Sequence, residues 1–130
     1  MEKAKNFWDL IVWQKAHAMV IKVYEVTKHF PTEERFGLVP QMRRAAVSVA
    51  ANIAEGFKRQ GNKNKVQFYN MGQTSLEEVR YYLILARDLK YMDNTDELTD
   101  RGSEVARLLQ GLVNSIKNFS EPRLLKIKND

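Results

Sequence analysis

Four stretches of this 130-residue chain place apolar or small residues at alternating steps of three and four. The first row is Val12, Ala16, Met19, Val23, Val26 and Phe30, and the second is Met42, Ala46, Val49, Ile53 and Gly56. The third runs Phe68, Gly72, Ser75, Val79, Tyr82, Ala86 and Leu89; the fourth Leu98, Gly102, Val105, Leu109, Leu112, Ile116 and Phe119. A mean step of about 3.5 residues keeps one seam of a helix facing its neighbours, the pattern of left-handed knobs-into-holes packing. No stretch alternates with period two over a useful length, so the chain reads as all-α.

The breaks agree with the rows. Pro31, in "FPTEERFG" (30–37), removes a backbone donor and pushes Phe30 out of the helical region. Gly61, in "RQGNKNK" (59–65), is a helix stop. Asn64 with Gln67, and Asn94 with Glu97, have capping-box spacing at the starts of the third and fourth helices. Four helices of similar length with short links predict an antiparallel up-down four-helix bundle over residues 1–119. Pro122 follows it, leaving residues 120–130 as a loose tail.

Several kinds of chemistry are not expected. With no cysteine there is no disulfide, thiolate zinc site or cysteine nucleophile. The two histidines, His17 and His29, are twelve apart and project about 120° from one another on an ideal helix, which is no metal spacing. Glycines form no phosphate-cradling fingerprint. Glu77 and Glu78 sit on adjacent positions that do not face each other, and Glu55 beside Asn52 is no general acid by itself. The chain is therefore read as no enzyme, with no cofactor and no metal. No apolar run approaches the roughly 20 residues of a membrane span, and the "EPRLLKIKND" tail is too short for an interfacial anchor. The N-terminal "MEKAKNFWDL" lacks the features of a secretory signal, so a cytoplasmic protein is expected.

Two features point outward. A second row on helix 1, Leu10, Trp13, His17, Val20 and Tyr24, lies about 120° from the first. Such an arc exceeds one bundle face, and aromatic residues dominate protein interfaces, so these five are the candidate subunit contact. The other feature is charge: residues 32–65 hold seven Lys/Arg against three Asp/Glu, in a chain whose net charge is +5. Within that segment "RRAAVSVAANIAEGFKR" (43–59) is a thin helix with cations at both ends. Its polar row, Gln41, Ser48, Asn52, Glu55 and Arg59, is either a solvated face or a row buried against another helix. Arg43, Arg44, Lys58, Arg59, Lys63 and Lys65 are candidate phosphate contacts. Arg43 and Arg44 are equally candidates for structural pairing with Glu55 or Glu78.

The stretches "FWDLIVWQKAHAM" (7–19) and "RRAAVSVAANIAEGFKR" resemble a bacterial four-helix-bundle family. It is named after the protein encoded in intervening sequences of large-subunit ribosomal RNA genes. The resemblance rests on Leu10, Trp13, Lys15 and Ala16; on Phe30, Pro31 and Glu34; and on Gln41, Arg43, Arg44, Ala45, Ala46, Ser48, Asn52, Ile53, Ala54, Glu55 and Gly56. Ser75, Leu76 and Glu78 extend it into helix 3, and it covers Phe7 to Asn118. The chain departs from the family's usual pattern at Gly72, often alanine, at Thr74, often glycine, and at Lys90, where a glycine often precedes the tyrosine. The resemblance implies a relative in the accessory protein of diversity-generating retroelements, a barrel-shaped homopentamer that binds nucleic acid and a reverse transcriptase. By that analogy this chain is a ring-forming homo-oligomer, a pentamer, binding RNA or DNA backbones as an accessory factor. The alternative is a protein–protein adaptor with no nucleic-acid role, its partner docked on the second row of helix 1.

Overall fold

The computed structural model describes residues 3–120, and the tail from 121 onward lies outside the described residues. A 3-10 turn at Phe7–Asp9 leads into α1 (Ile11–Thr27), and a second at Thr32–Glu34 leads into α2 (Leu38–Lys58). Then come α3 (Asn62–Asp88) and α4 (Asp96–Ser120). Among the described residues there is no strand, and none of the helices is long and apolar enough to cross a membrane. Helix α1 packs on α2 and α4, and α3 packs on the same two, which is the square of an up-down bundle.

The core is a stack of aliphatic layers. Met19, Val23, Met42, Val49, Ile53, Leu76, Val79, Leu98, Val105, Leu109 and Val113 are almost wholly excluded from solvent. The seams of α1 and α2 follow the expected rows, with Ala16, Ala46 and Gly56 as the thin positions, except that Thr27 is buried where Val26, which is half-buried, was expected. The other two need correction. Helix α3 buries Tyr69, Gly72, Ser75, Leu76, Val79, Leu83 and Ala86, while Phe68 and Tyr82 are half-buried and Leu89 is exposed. The expected row holds at Gly72, Ser75, Val79 and Ala86 and is displaced by one residue at Phe68 and Tyr82, because "FY" (68–69) and "YYL" (81–83) offer two adjacent apolar rows. On α4, Val113 takes the place expected for Leu112, which is half-buried.

The helix ends are set by local chemistry. Helix α2 opens on Gly37, and the Glu34 carboxylate accepts the Leu38 N–H (3.0 Å) in place of a cap residue. A methyl group on Gly37 would meet Glu34 Oε1 at 2.7 Å, so glycine leaves room for that carboxylate. Glu34 also accepts the Tyr91 hydroxyl (2.7 Å), joining the α1–α2 link to the α3–α4 link. Pro40 lies in the first turn of α2, where the missing N–H has no intrahelical partner to lose.

Helix α3 begins at Asn62, not Asn64, after Gly61 adopts φ 80°. The Asn64 side chain donates instead to the Gln60 carbonyl (3.1 Å), so the capping box expected there is not formed. At the start of α4 the signal holds in part, with Asn94 Oδ1 accepting the Asp96 N–H (2.8 Å). The buried Tyr69 ring of α3 packs onto Gly56 of α2, where an added Cβ would lie 2.5 Å from that ring. Burial pushes the Tyr69 hydroxyl up to about 12.

Candidate nucleic-acid interface

Six cations were expected to act together, and the fold gives them different tasks. Arg43 is a staple between α1 and α2. Its Nε donates to the buried Thr27 hydroxyl (2.9 Å), and that hydroxyl donates to the Val23 carbonyl (2.7 Å). Its Nη2 donates to the Tyr24 carbonyl (3.3 Å), and the guanidinium lies 4.5 Å from the Tyr24 ring centre. Arg43 is thus structural, but with partners on α1 rather than Glu55 or Glu78.

The far end of α2 is similar in kind. Lys65 reaches back from α3 to donate to the Phe57 (2.6 Å) and Gly56 (3.3 Å) carbonyls, capping the C-terminus of α2. A cation there also complements the negative end of the helix dipole. Partial burial holds the Lys65 ammonium below its usual range. Arg59 pairs with Glu55 (3.1 Å) and stacks on Phe68 at 4.4 Å, while Lys65 lies 5.5 Å from the Phe57 ring centre. The aromatic residues missing from the linear sequence of this loop are therefore supplied by the fold, with Arg59 and Lys65 lying over them.

Arg44, Lys58 and Lys63 remain. All three are exposed, and none of the ion pairs among the described residues uses them. Arg44 and Lys58 lie on the same side of α2, about 40° apart in projection and about 21 Å apart along the axis. That separation divides the interface into two cationic ends. Between them run Val47, Ala51 and Ala54, exposed or half-exposed, which explains one half of the thinness of this helix. Ala45, Ala46 and Ala50, packed inward, explain the other.

The polar row divides as well. Ser48 and Ser75 share a hydrogen bond of 2.7 Å between α2 and α3, and Asn52 Nδ2 donates to the Ser48 hydroxyl (3.1 Å) and carbonyl (2.8 Å). These groups are half-buried or buried and satisfy one another. Gln41, Glu55 and Arg59 face solvent, with Gln41 accepting the Tyr82 hydroxyl (3.2 Å).

The second row of helix 1 is only partly a free surface. Val20 is 8% exposed and belongs to the chain's own core. Trp13 is half-buried, with the Phe7 ring edge-on at 5.1 Å and His17 stacked on it at 4.9 Å, 7° from parallel. The 3-10 turn before α1 thus covers this part of the row, and Leu10 is half-buried beside it. His17 and Tyr24 stay exposed, joined by Ile21 at 47%, which the sequence reading had left out.

An open groove of about 670 Å³ lies between α1 and the start of α2, lined by Tyr24, Arg35, Val39, Pro40, Arg44 and Val47 with Arg43 and Ser48. Arg35 was not foreseen here, because only the 3-10 turn brings it beside α2.

A family model described as "23S rRNA-intervening sequence protein" matches residues 8–111. No curated protein matches the chain. The fold is similar to a crystal structure from Bacteroides thetaiotaomicron, described as a protein with unknown function from the S23 ribosomal protein family. The TM-score is 0.73 at 21% identity, covering 79% of this chain and 98% of that one.

Proposed function

The chain belongs to the 23S rRNA-intervening sequence protein family, and from that premise we propose that it is a non-catalytic accessory protein of the cytoplasm that binds nucleic-acid backbones. The supporting observation is that Arg44, Lys58 and Lys63 are exposed and form no ion pair among the described residues, whereas the other three cations of the set serve the fold. Charge that stabilises no helix is available to phosphates, and contacts of this kind follow backbone rather than base sequence. Copies of the chain associate through the exposed side of α1, about Ile21 and Tyr24, so that the free cations of several subunits act together. A ring of five, the expectation from the family resemblance, is the assembly this reading favours.

The test is a variant carrying Arg44→Gln, Lys58→Gln and Lys63→Gln, titrated against RNA and duplex DNA at low salt. Binding should weaken by at least tenfold, with the helical circular dichroism and melting point retained. Unchanged affinity would reject the assignment.

A further inference from the structure

The only charged residues lining the groove beside Arg44 are cations, as in the adjoining groove lined by Lys28, Arg35 and Arg43. It presents three guanidinium groups, Arg35, Arg43 and Arg44, and no carboxylate lines it. The groove over α4, by contrast, mixes Glu97, Asp100 and Glu104 with Arg101 and Arg107. Its walls are apolar and partly aromatic. Tyr24 is 39% exposed and Val47 41%, and Phe36, which follows Arg35 in the chain, is 88% exposed with the Arg35 guanidinium 5.4 Å from its ring centre. An anion alone would use the arginines and leave the apolar walls uncovered. A flat heterocycle alone would leave the charge unanswered. A nucleotide of an unpaired strand satisfies both, its phosphate against Arg44 or Arg35 and its base on the aromatic and guanidinium planes.

We infer that this groove seats one nucleotide of a single strand, so that the protein prefers single-stranded RNA to duplex. A paired base is stacked inside its helix and cannot enter a groove of this kind, whereas an unpaired one can be splayed into it. The volume lies within the roughly 300–1,000 Å³ of small-ligand sites. The inference rests on the backbone-binding reading of the previous section and adds to it the kind of strand bound. Arg43 is a positioning residue here, since its contacts with Thr27 and Tyr24 fix the groove wall.

Val47→Trp tests it, because the larger side chain fills the groove without changing charge. Fluorescence anisotropy with a short labelled RNA strand and with its duplex should show the wild type binding the single strand more tightly. In V47W, single-strand affinity should fall about tenfold while duplex affinity stays the same. A thermal melt of V47W confirms that the fold is kept. Equal losses on both substrates, or no loss on either, would overturn the groove as a nucleotide seat. So would an oligoglutamate peptide that displaces the single strand from the wild type but not from V47W, since that marks an acidic-peptide groove. Duplex binding that persists through these outcomes leaves the backbone-binding reading standing. Absence of all binding by the wild type at low salt would remove both.

Discussion

Lys90 has φ 66°, a left-handed conformation that costs an ordinary side chain about 1 kcal/mol or more. It ends α3, with the Tyr91 N–H on the Ala86 carbonyl (2.8 Å) and the Lys90 N–H on the Arg87 carbonyl (2.9 Å). This is the double bond of a Schellman stop, where glycine is the usual residue. The sequence marked this position as a departure from the family pattern, and the backbone gives the reason that glycine suits it. Lys90→Gly is expected to raise stability by about 1 kcal/mol, or the melting point by about 4 °C. A calorimetric scan with no rise would contradict this. One residue further on, the Tyr91 hydroxyl holds the Glu34 carboxyl below its ordinary 4.5, with help from the Leu38 N–H. A lowered folded pKa contributes stability that is present above 4.5 and lost as the pH falls through the folded value. Tyr91 itself is pushed up to about 12, chiefly by its bond to Glu34, so its share is lost as the pH rises from 10 through 12. Denaturant melts of Tyr91→Phe should therefore fall less steeply than the wild type below pH 4.5. Parallel curves would show that the bond carries no such dependence.

Among the elements, α2 is the one on which most of the chemistry depends, and its composition was legible before its contacts were. Pro31 and Gly61 act through their own backbones, so the limits of α1 and α2 could be read locally. The register of α3 could not, because Phe68 and Tyr69 compete for one seam and only packing against Gly56 selects Tyr69. Nor could the division of the cations be read. Arg43 finds Thr27 sixteen residues back, and Lys65 reaches Phe57 eight residues back across a turn. Both pairings depend on how helices lie side by side. The sequence placed Arg43, Arg44 and Lys58 on α2, but Lys63 and Lys65, expected in the loop after it, lie in the first turn of α3. The distinction between the braced and the free cations came from the fold.

For the whole molecule, the question is where the exposed apolar surface goes. Trp8, Ile11, Ile21, Tyr24 and Phe36, each 39% exposed or more, lie on α1 or in the links at its two ends. The exposed Val47 lies on α2, and Met71, Tyr81, Ile84 and Leu89 lie on α3 or at its end. Part of the surplus read from helix 1 is absorbed within the chain, by Phe7 over Trp13 and by Val20 in the core. In the function proposed above, copies meet along α1 and cover what remains there. Multi-angle light scattering should report an oligomer that Ile21→Glu reduces toward the single-chain mass, and a wild-type mass of one chain would remove that part of the account. Gathering chains multiplies the free cations, and counterion release makes their number readable. The most direct measurement is the affinity of the wild type for RNA across a series of salt concentrations, beside the Arg44, Lys58 and Lys63 triple variant. The account predicts a steep linear fall of log affinity with log salt, shallower by about two units in the variant for each subunit that touches the strand. Affinity independent of salt, or equal slopes for the two proteins, would contradict it.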